Sequence, residues 1–311
     1  PIQHTHKEIL INAESLETRV AITVKGKLEN LTIERIDSLR MVGSIYKGRI
    51  RNLEDGLKAA FVDIGLEKNA FLHYWDIIPS TLDSSYDVVD RGKRKKEKPR
   101  ITNKDIPKKY PSGTELTVQV TKGPIGTKGP RVTTNVLLPG RYLVLLPNSE
   151  QSGVSRKIEN REERARLKKI VRELDIPEGM GVIIRTAGQG QRKAYFIRDL
   201  AILMETWEKI TGLVKTQKSG TCVFEEPDLI ERTVRDFLTE DVERIVVDNA
   251  AEVDRVKKLI GRVSKRALDK VQRYSFSEPI FDRFGVTRQL ETAYTRQVML
   301  PSGGYIIIDE T

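Results

Sequence analysis

GSIYKGRIRNL at positions 43–53 and AAFVDIGLEKNAFLH at 59–73 are the stretches whose reading decides the architecture. Together with GTELTVQVTK at 113–122 they make a β-rich block running from Gly43 to about Lys128. Leu116, Val118 and Val120 alternate with polar residues, the period of a strand with one face buried. Rings recur in the block at Phe61, Phe71 and His73, and the same block carries Lys47, Arg49, Lys122 and Lys128. Rings that project from a sheet give any base a stacking surface, and cations beside them hold the phosphate backbone. The same period also allows Phe61 or Phe71 to fill a core, and the sequence leaves both readings open.

Outward from this block, ILINAESLETRVAITVKGKLENLTIE at 9–34 reads as short strands joined by polar turns, one of them at Gly26. DRGKRKKEKPRITNKDIPKK at 90–109 carries ten Lys or Arg against three acids. It reads as a flexible basic loop, either a solvated excursion or an arm that attracts phosphates without reading sequence. From Thr133 the chain becomes mixed, with a strand, a turn at Pro139-Gly140 and another strand. Asn160 and Glu163 stand at capping-box spacing before a helix whose Leu167, Ile170, Val171 and Leu174 share one face, ended by Pro177 and Gly179. The strand MGVIIRT opens into the loop AGQGQR, and a second helix places Phe196, Leu200, Leu203, Trp207 and Ile210 on one stripe. From Thr221 to Arg273 the pattern is strand, helix, strand, helix, strand, as where helices pack on a sheet. QVMLPSGGYIIIDET carries a hairpin signal at Ser302-Gly303-Gly304, and a lone hairpin needs a partner to be stable. The fold class is therefore α+β with several subdomains.

The 311 residues suffice for two or three domains, and 38% hydrophobic with 32% charged residues describes a globular chain with an ionic surface. No apolar run is long enough to span a membrane, and PIQHTHKEIL lacks the apolar stretch of a signal peptide, so a cytoplasmic setting is expected. Cys222 is the single cysteine, which excludes an intramolecular disulfide and a multi-thiolate zinc site. His4, His6 and His73 are too few for a histidine-rich metal site. A net charge of +10 and a pI near 9.5 favour a polyanionic partner.

Chemistry narrows at IIRTAGQG. Arg185 offers a planar fork for two phosphate oxygens, Thr186 a hydroxyl, and the glycine-containing loop its amides, a set suited to a terminal phosphate. A dinucleotide-binding loop is disfavoured because the third glycine position is Lys193. Asp248 ends the apolar strand ERIVVD, with Glu225, Glu226 and Asp228 upstream and Asp63 in the barrel phrase. A two-metal nuclease needs several convergent carboxylates, and Asp248-Asn249 reads more simply as a strand-to-helix turn with a helix cap.

The block at 43–73 resembles an S1 domain, an OB-type barrel that binds single-stranded nucleic acid. Across nearly the whole chain the sequence resembles the ribonuclease E/G family, through ILINA, IYKGRI, AAFVDIG, NAFLH, YLVLLPN, GVSRKIE, IPEGMG, VIIRTAG and LPSGGYIIID in that order. The resemblance implies an S1 barrel at 39–128 inserted in a ribonuclease H-like subdomain at 1–38 and 221–284. It also implies a 5′-sensor subdomain at 129–220 and the start of a DNase I-like catalytic subdomain at 285–311. It implies RNA contacts at Phe61, Phe71, Lys122, Lys128, Arg156 and Lys157, and a 5′-monophosphate sensor at Gly140, Val144, Arg185 and Thr186. Members of the family hydrolyse single-stranded RNA with magnesium, in rRNA processing and mRNA decay. The family's magnesium ligands lie beyond the LPSGGYIIID hairpin, so residues 1–311 are expected to recognise RNA without a catalytic or metal site. No small-molecule cofactor is expected. Two other readings stay open: a stand-alone RNA-binding module, and an enzyme complete within 311 residues that uses Asp63 or Asp248.

Overall fold

The computed structural model describes residues 7–35, 40–78, 85–92, 102–239, 241–263 and 265–309, so the centre of the basic loop, at 93–101, lies outside the described residues. The chain divides into two compact units, Arg40–Glu226 and Pro1–Leu39 with Pro227–Thr311.

In the first unit the strands Ile45–Glu54, Ala59–Asp63, Ala70–His73, Arg131–Thr133 and Glu115–Lys122 pair in that order around a ring. Pairing of Glu115–Lys122 back onto Ile45–Glu54 closes it. The closed five-stranded barrel is of OB type. Its interior is lined by Ile50, Ala60, Val62, Ala70, Leu72, Val118, Val120 and Val132. Alternation does the sorting. Ala60, Val62, Ala70 and Leu72 are 0% exposed, so the residues between them, Phe61, Asp63, Phe71 and His73, take the outer face.

A second sheet in the same unit has the order Leu138–Pro139, Leu143–Leu146, Gly181–Ile184, Gly153–Ser155, Tyr86–Val88. The helices Arg161–Glu173 and Lys193–Thr216 cover it with the apolar stripes expected of them, Leu167, Ile170 and Val171 from one and Phe196, Leu200, Leu203 and Ile210 from the other. Asn160 caps the first helix, its side chain accepting from the Glu163 amide at 3.0 Å.

Three elements differ from the sequence reading. Thr221–Phe224, read as the first strand of the α/β layer, pairs antiparallel with Ile45–Lys47 at the rim of the barrel. A short apolar run fits any sheet and does not name its partner. Here Gly65 and Gly220 settle the matter, because a Cβ on Gly65 would fall 2.2 Å from the Gly220 carbonyl oxygen, so only glycine lets the two chains approach. Arg131–Thr133 belongs to the barrel although it lies past Lys128. Ile106–Lys109, inside the stretch read as loop, is a short helix pinned by Ile106, which is fully buried in the barrel core.

In the second unit the sheet order is Val271–Arg273, Arg244–Val247, Lys7–Ala13, Glu17–Val24, Lys27–Arg35. The first three strands run parallel and the last two are antiparallel additions. Ile9, Ile11, Val20, Ile245 and Val247 face the helices Leu229–Phe237 and Ala250–Val263, while Leu10, Ala21 and Val246 face Ile280, Phe281, Phe284 and Val286. Gln297–Met299 and Tyr305–Ile307 form the hairpin expected at Ser302-Gly303-Gly304. No described helix is long and apolar enough to cross a membrane.

Candidate nucleic-acid interface

Strand register lines up one residue from each of five strands across the outer face of the barrel. Asn52 stands opposite Phe61, Phe61 opposite Phe71, Phe71 opposite Arg131, and Arg131 opposite Lys122. Phe61 and Phe71 are both half-buried and meet edge to face, with ring centroids 5.9 Å apart. Neither ring fills the core. Directly paired aromatic residues brace each other across a sheet, which holds both rings at a fixed angle on the surface. Arg131 sits beside them with its guanidinium 2.9 Å from Asp76, and Lys122 is exposed at the end of the row.

Along the strand the row turns a corner. His73 lies next to Phe71 on the same face, with ring centroids 6.3 Å apart, and its ring stacks on Trp75 at 3.5 Å and 23°. His73 is also the N-cap of the short helix Tyr74–Ile77, its Nδ1 accepting from the Trp75 amide at 3.3 Å. Burial, against the opposing pull of Asp76 and helped by Arg131, holds the imidazole below its ordinary pKa.

The remaining cations divide. Lys128 is exposed on the loop that returns to Phe71, where the Pro130 carbonyl accepts from the Phe71 amide at 2.7 Å. Lys47 and Arg49, expected beside the rings, are committed to Glu115 at 3.0 and 2.8 Å. The Ser219 hydroxyl, Arg49 and Lys47 bond Glu115 and bring its carboxyl down to about 2.

A second constellation forms where three strands of the other sheet end together. Gly153–Ser155 runs parallel to Gly181–Ile184, so Arg156 and Lys157 leave the sheet at the same end as Arg185 and Thr186. The hairpin between Leu138–Pro139 and Leu143–Leu146 turns at that end too, bringing Gly140 beside Arg185. Arg185 Nη1 donates to the Gly140 carbonyl at 2.5 Å, and its own amide donates to the Tyr142 carbonyl at 2.8 Å. Val144 is half-buried in the strand that follows, while Thr186, Arg156 and Lys157 are exposed.

Two carboxylates hold this end in shape, one missed in the sequence and the other given a different role there. Asp199 is buried on the helix Lys193–Thr216 and accepts from the amides of Arg141, Tyr142 and Leu143 at 3.2, 2.8 and 2.9 Å. A Cβ on Gly140 would lie 2.7 Å from that carboxylate, so residue 140 is glycine for want of space. Its signal was readable, because Asp199 falls on the apolar stripe of its helix between Phe196 and Leu203. Glu163 is the other. Rather than completing the capping box, it pairs with Arg166 at 2.7 Å and accepts from the Gly190 amide at 2.8 Å, tying down the loop after Thr186.

Three of the carboxylates weighed as catalytic, Asp248, Asp63 and Asp228, are engaged within the protein. Asp248 accepts from the Asn12 side chain and from the Ala13 amide at 2.9 Å, while Asn249 caps the following helix. Asp63 accepts from Arg51 at 2.6 Å and from the Gly65 amide at 2.8 Å, which keep it below the usual carboxylate range. Asp228 caps the helix Leu229–Phe237 and pairs with Arg255; Glu225 and Glu226 precede it in the chain. Among the described residues no group of three or more His, Cys, Asp or Glu is placed to hold a metal ion.

The unit thus holds a closed barrel with outward rings and a sheet end that carries cations, and comparison with known proteins supplies the family. Residues 137–311 match the Ribonuclease E/G family. The chain is 40% identical over 304 residues to Ribonuclease G of Escherichia coli, covering 98% of this chain and 60% of that protein. Ribonuclease G of Haemophilus influenzae is likewise 40% identical over 304 residues, covering 98% of this chain and 60% of that protein. Ribonuclease E of Escherichia coli is 35% identical over 308 residues, covering 98% of this chain and 28% of that protein. The chain belongs to the ribonuclease E/G family, and it spans about 60% of the length of the ribonuclease G relatives it matches.

Proposed function

We propose that residues 1–311 are the RNA-recognition part of a magnesium-dependent endoribonuclease of RNA processing and decay. They bind single-stranded RNA across the outer face of the barrel and seat a 5′-monophosphate at the Arg185 end of the second sheet. The observation that carries this reading is the unbroken cross-strand row Asn52, Phe61, Phe71, Arg131, Lys122, in which two braced rings stand beside two cations. Stacking on such rings is indifferent to sequence and adds about 1–3 kcal/mol per base, and the cations add a salt-dependent attraction to the backbone. At the sheet end, a terminal monophosphate brings more charge and one more free oxygen than an internal diester. The Arg185 guanidinium, whose Nη1 also serves the Gly140 carbonyl, and the exposed Thr186 hydroxyl stand at that end to meet the extra oxygen, with Arg156 and Lys157 at the same end for the following backbone.

Cleavage is not assigned to any described residue, since Asp63 and Asp248 spend their oxygens on internal partners. The test of the sensor compares short single-stranded RNAs that differ only at the 5′ end. Tighter binding of the 5′-monophosphate than of the 5′-hydroxyl is expected. Equal affinity for the two would leave only a basic RNA-binding surface.

A further inference from the structure

Phe61 and Phe71 do not end the line of rings on the barrel. From Phe71 it passes to His73 at 6.3 Å and from His73 to Trp75 at 3.5 Å, so four rings follow one another along the outer face. Trp75 is 59% exposed although it is the largest apolar side chain in its element. An indole that merely filled space would turn inward, as Tyr74 does beside it at 0% exposure. Instead one face of Trp75 lies flat on His73 and the rest is open. The orientation is fixed from below, because His73 Nδ1 caps the helix by accepting from the Trp75 amide, so the ring that supports the indole also anchors its backbone. The neighbouring carboxylate, Asp76, is paired with Arg131, and its backbone carbonyl accepts from the hydroxyls of Thr133 and Thr134. A phosphate backbone passing the indole therefore meets an ion pair rather than a bare negative charge.

From this geometry we infer that Trp75 is a further base-stacking subsite, extending the RNA track from Phe61 and Phe71 past His73 so that the barrel takes a longer run of unpaired nucleotides than the two phenylalanines alone would hold. The inference rests on the reading of the barrel face as an RNA interface. Its ligand is an unpaired base of single-stranded RNA, stacked on the open face of the indole. His73 is a positioning residue. It backs the indole, with one of its own faces covered by Trp75.

The experiment uses the whole 311-residue chain and unstructured RNA oligonucleotides spanning the ~4–16-nucleotide range of OB-fold site sizes. Trp75→Ala is expected to weaken binding roughly 5- to 150-fold for the longer oligonucleotides, the range given by loss of one stacked base. It should leave the shortest ones, which cover only Phe61 and Phe71, unchanged. Trp75→Phe should restore most of the affinity, and neither change should alter the salt dependence. Indole fluorescence should fall on binding of the long oligonucleotides in the unaltered chain and not in Trp75→Phe, where Trp207 is the remaining tryptophan. Phe61→Ala and Phe71→Ala separate the two levels of the reading. If they weaken binding while Trp75→Ala leaves every length untouched, the track ends at Phe71 and the inference is overturned by itself. If none of the three changes affects binding, the barrel-face reading falls and the inference with it.

Discussion

Asp199 shows how much one buried carboxylate can organise. Three consecutive amides point into it, and the hairpin they belong to carries the Gly140 carbonyl that receives Arg185. Removing the carboxylate strands those donors, and a buried group without its partner costs about 1–3 kcal/mol. Asp199→Ala is therefore expected to lower the denaturation midpoint and to erase the preference for a 5′-monophosphate, while leaving general RNA binding in place. Discrimination that survives intact would place the phosphate elsewhere. Arg185→Lys probes the same end differently, since lysine keeps the charge and loses the planar fork. One charge-assisted hydrogen bond is worth about 1.5–3 kcal/mol, so the ratio of affinities for the two 5′ ends should fall roughly tenfold or more. An unchanged ratio would take Arg185 out of the pocket. Glu115 makes a prediction in pH. Its folded value of about 2 lies below its ordinary 4.5, so the bonds from Ser219, Arg49 and Lys47 favour the folded state fully above about pH 4.5. That contribution is lost as pH falls from there through about 2. A carboxyl-carbon NMR titration should place the Glu115 midpoint near 2 and show it rising in Ser219→Ala. A midpoint near 4.5 would mean that the cluster around Glu115 does not form in solution.

At the scale of elements, the barrel face works because strands that are distant in sequence set neighbours in space. Arg131 joins the row only through its pairing with Phe71 and Lys122, so its part is electrostatic and its removal has a distinct signature. Each phosphate contact on a single strand contributes about −0.7 to the slope of log K against log salt. Arg131→Ala should reduce the magnitude of that slope by about this amount, with a modest loss of affinity. A slope that does not move would show that Arg131 serves only Asp76. Local pattern carried part of this into the sequence: the alternation of Leu116, Val118 and Val120, the Asn160 cap, and the two amphipathic helices follow from spacing within one segment, whereas Phe61 and Phe71 could be read as facing out or filling the core. Pairing between segments was not legible. Thr221–Phe224 is four residues of apolar character with nothing in it to name the barrel as its sheet. Arg131 was invisible for the same reason, lying across from Phe71 by register alone. Lys47 and Arg49 were placed on the RNA side by proximity to the rings in sequence, and Glu115, reached only by closing the barrel, claims both. Glu163 matched the capping-box spacing and yet serves Arg166 and Gly190, because the loop after Thr186 comes within its reach.

For the whole molecule, family membership and the placement of acids bear on where cleavage can occur. Asp63, Asp228 and Asp248 are engaged in caps, turns and ion pairs. Incubated with single-stranded RNA and magnesium, this chain is expected to leave the RNA uncut. Cleavage that is abolished by chelation and by Asp63→Ala or Asp248→Ala would overturn that assignment. Whether the outer face of the barrel holds single-stranded RNA by stacking is read from affinity measured over a range of salt concentrations. The chain carrying both Phe61→Ala and Phe71→Ala is predicted to lose about 1–3 kcal/mol per stacked base while its salt slope stays that of the unaltered protein. Unchanged affinity in a folded double variant would mean that RNA does not stack on this face of the barrel.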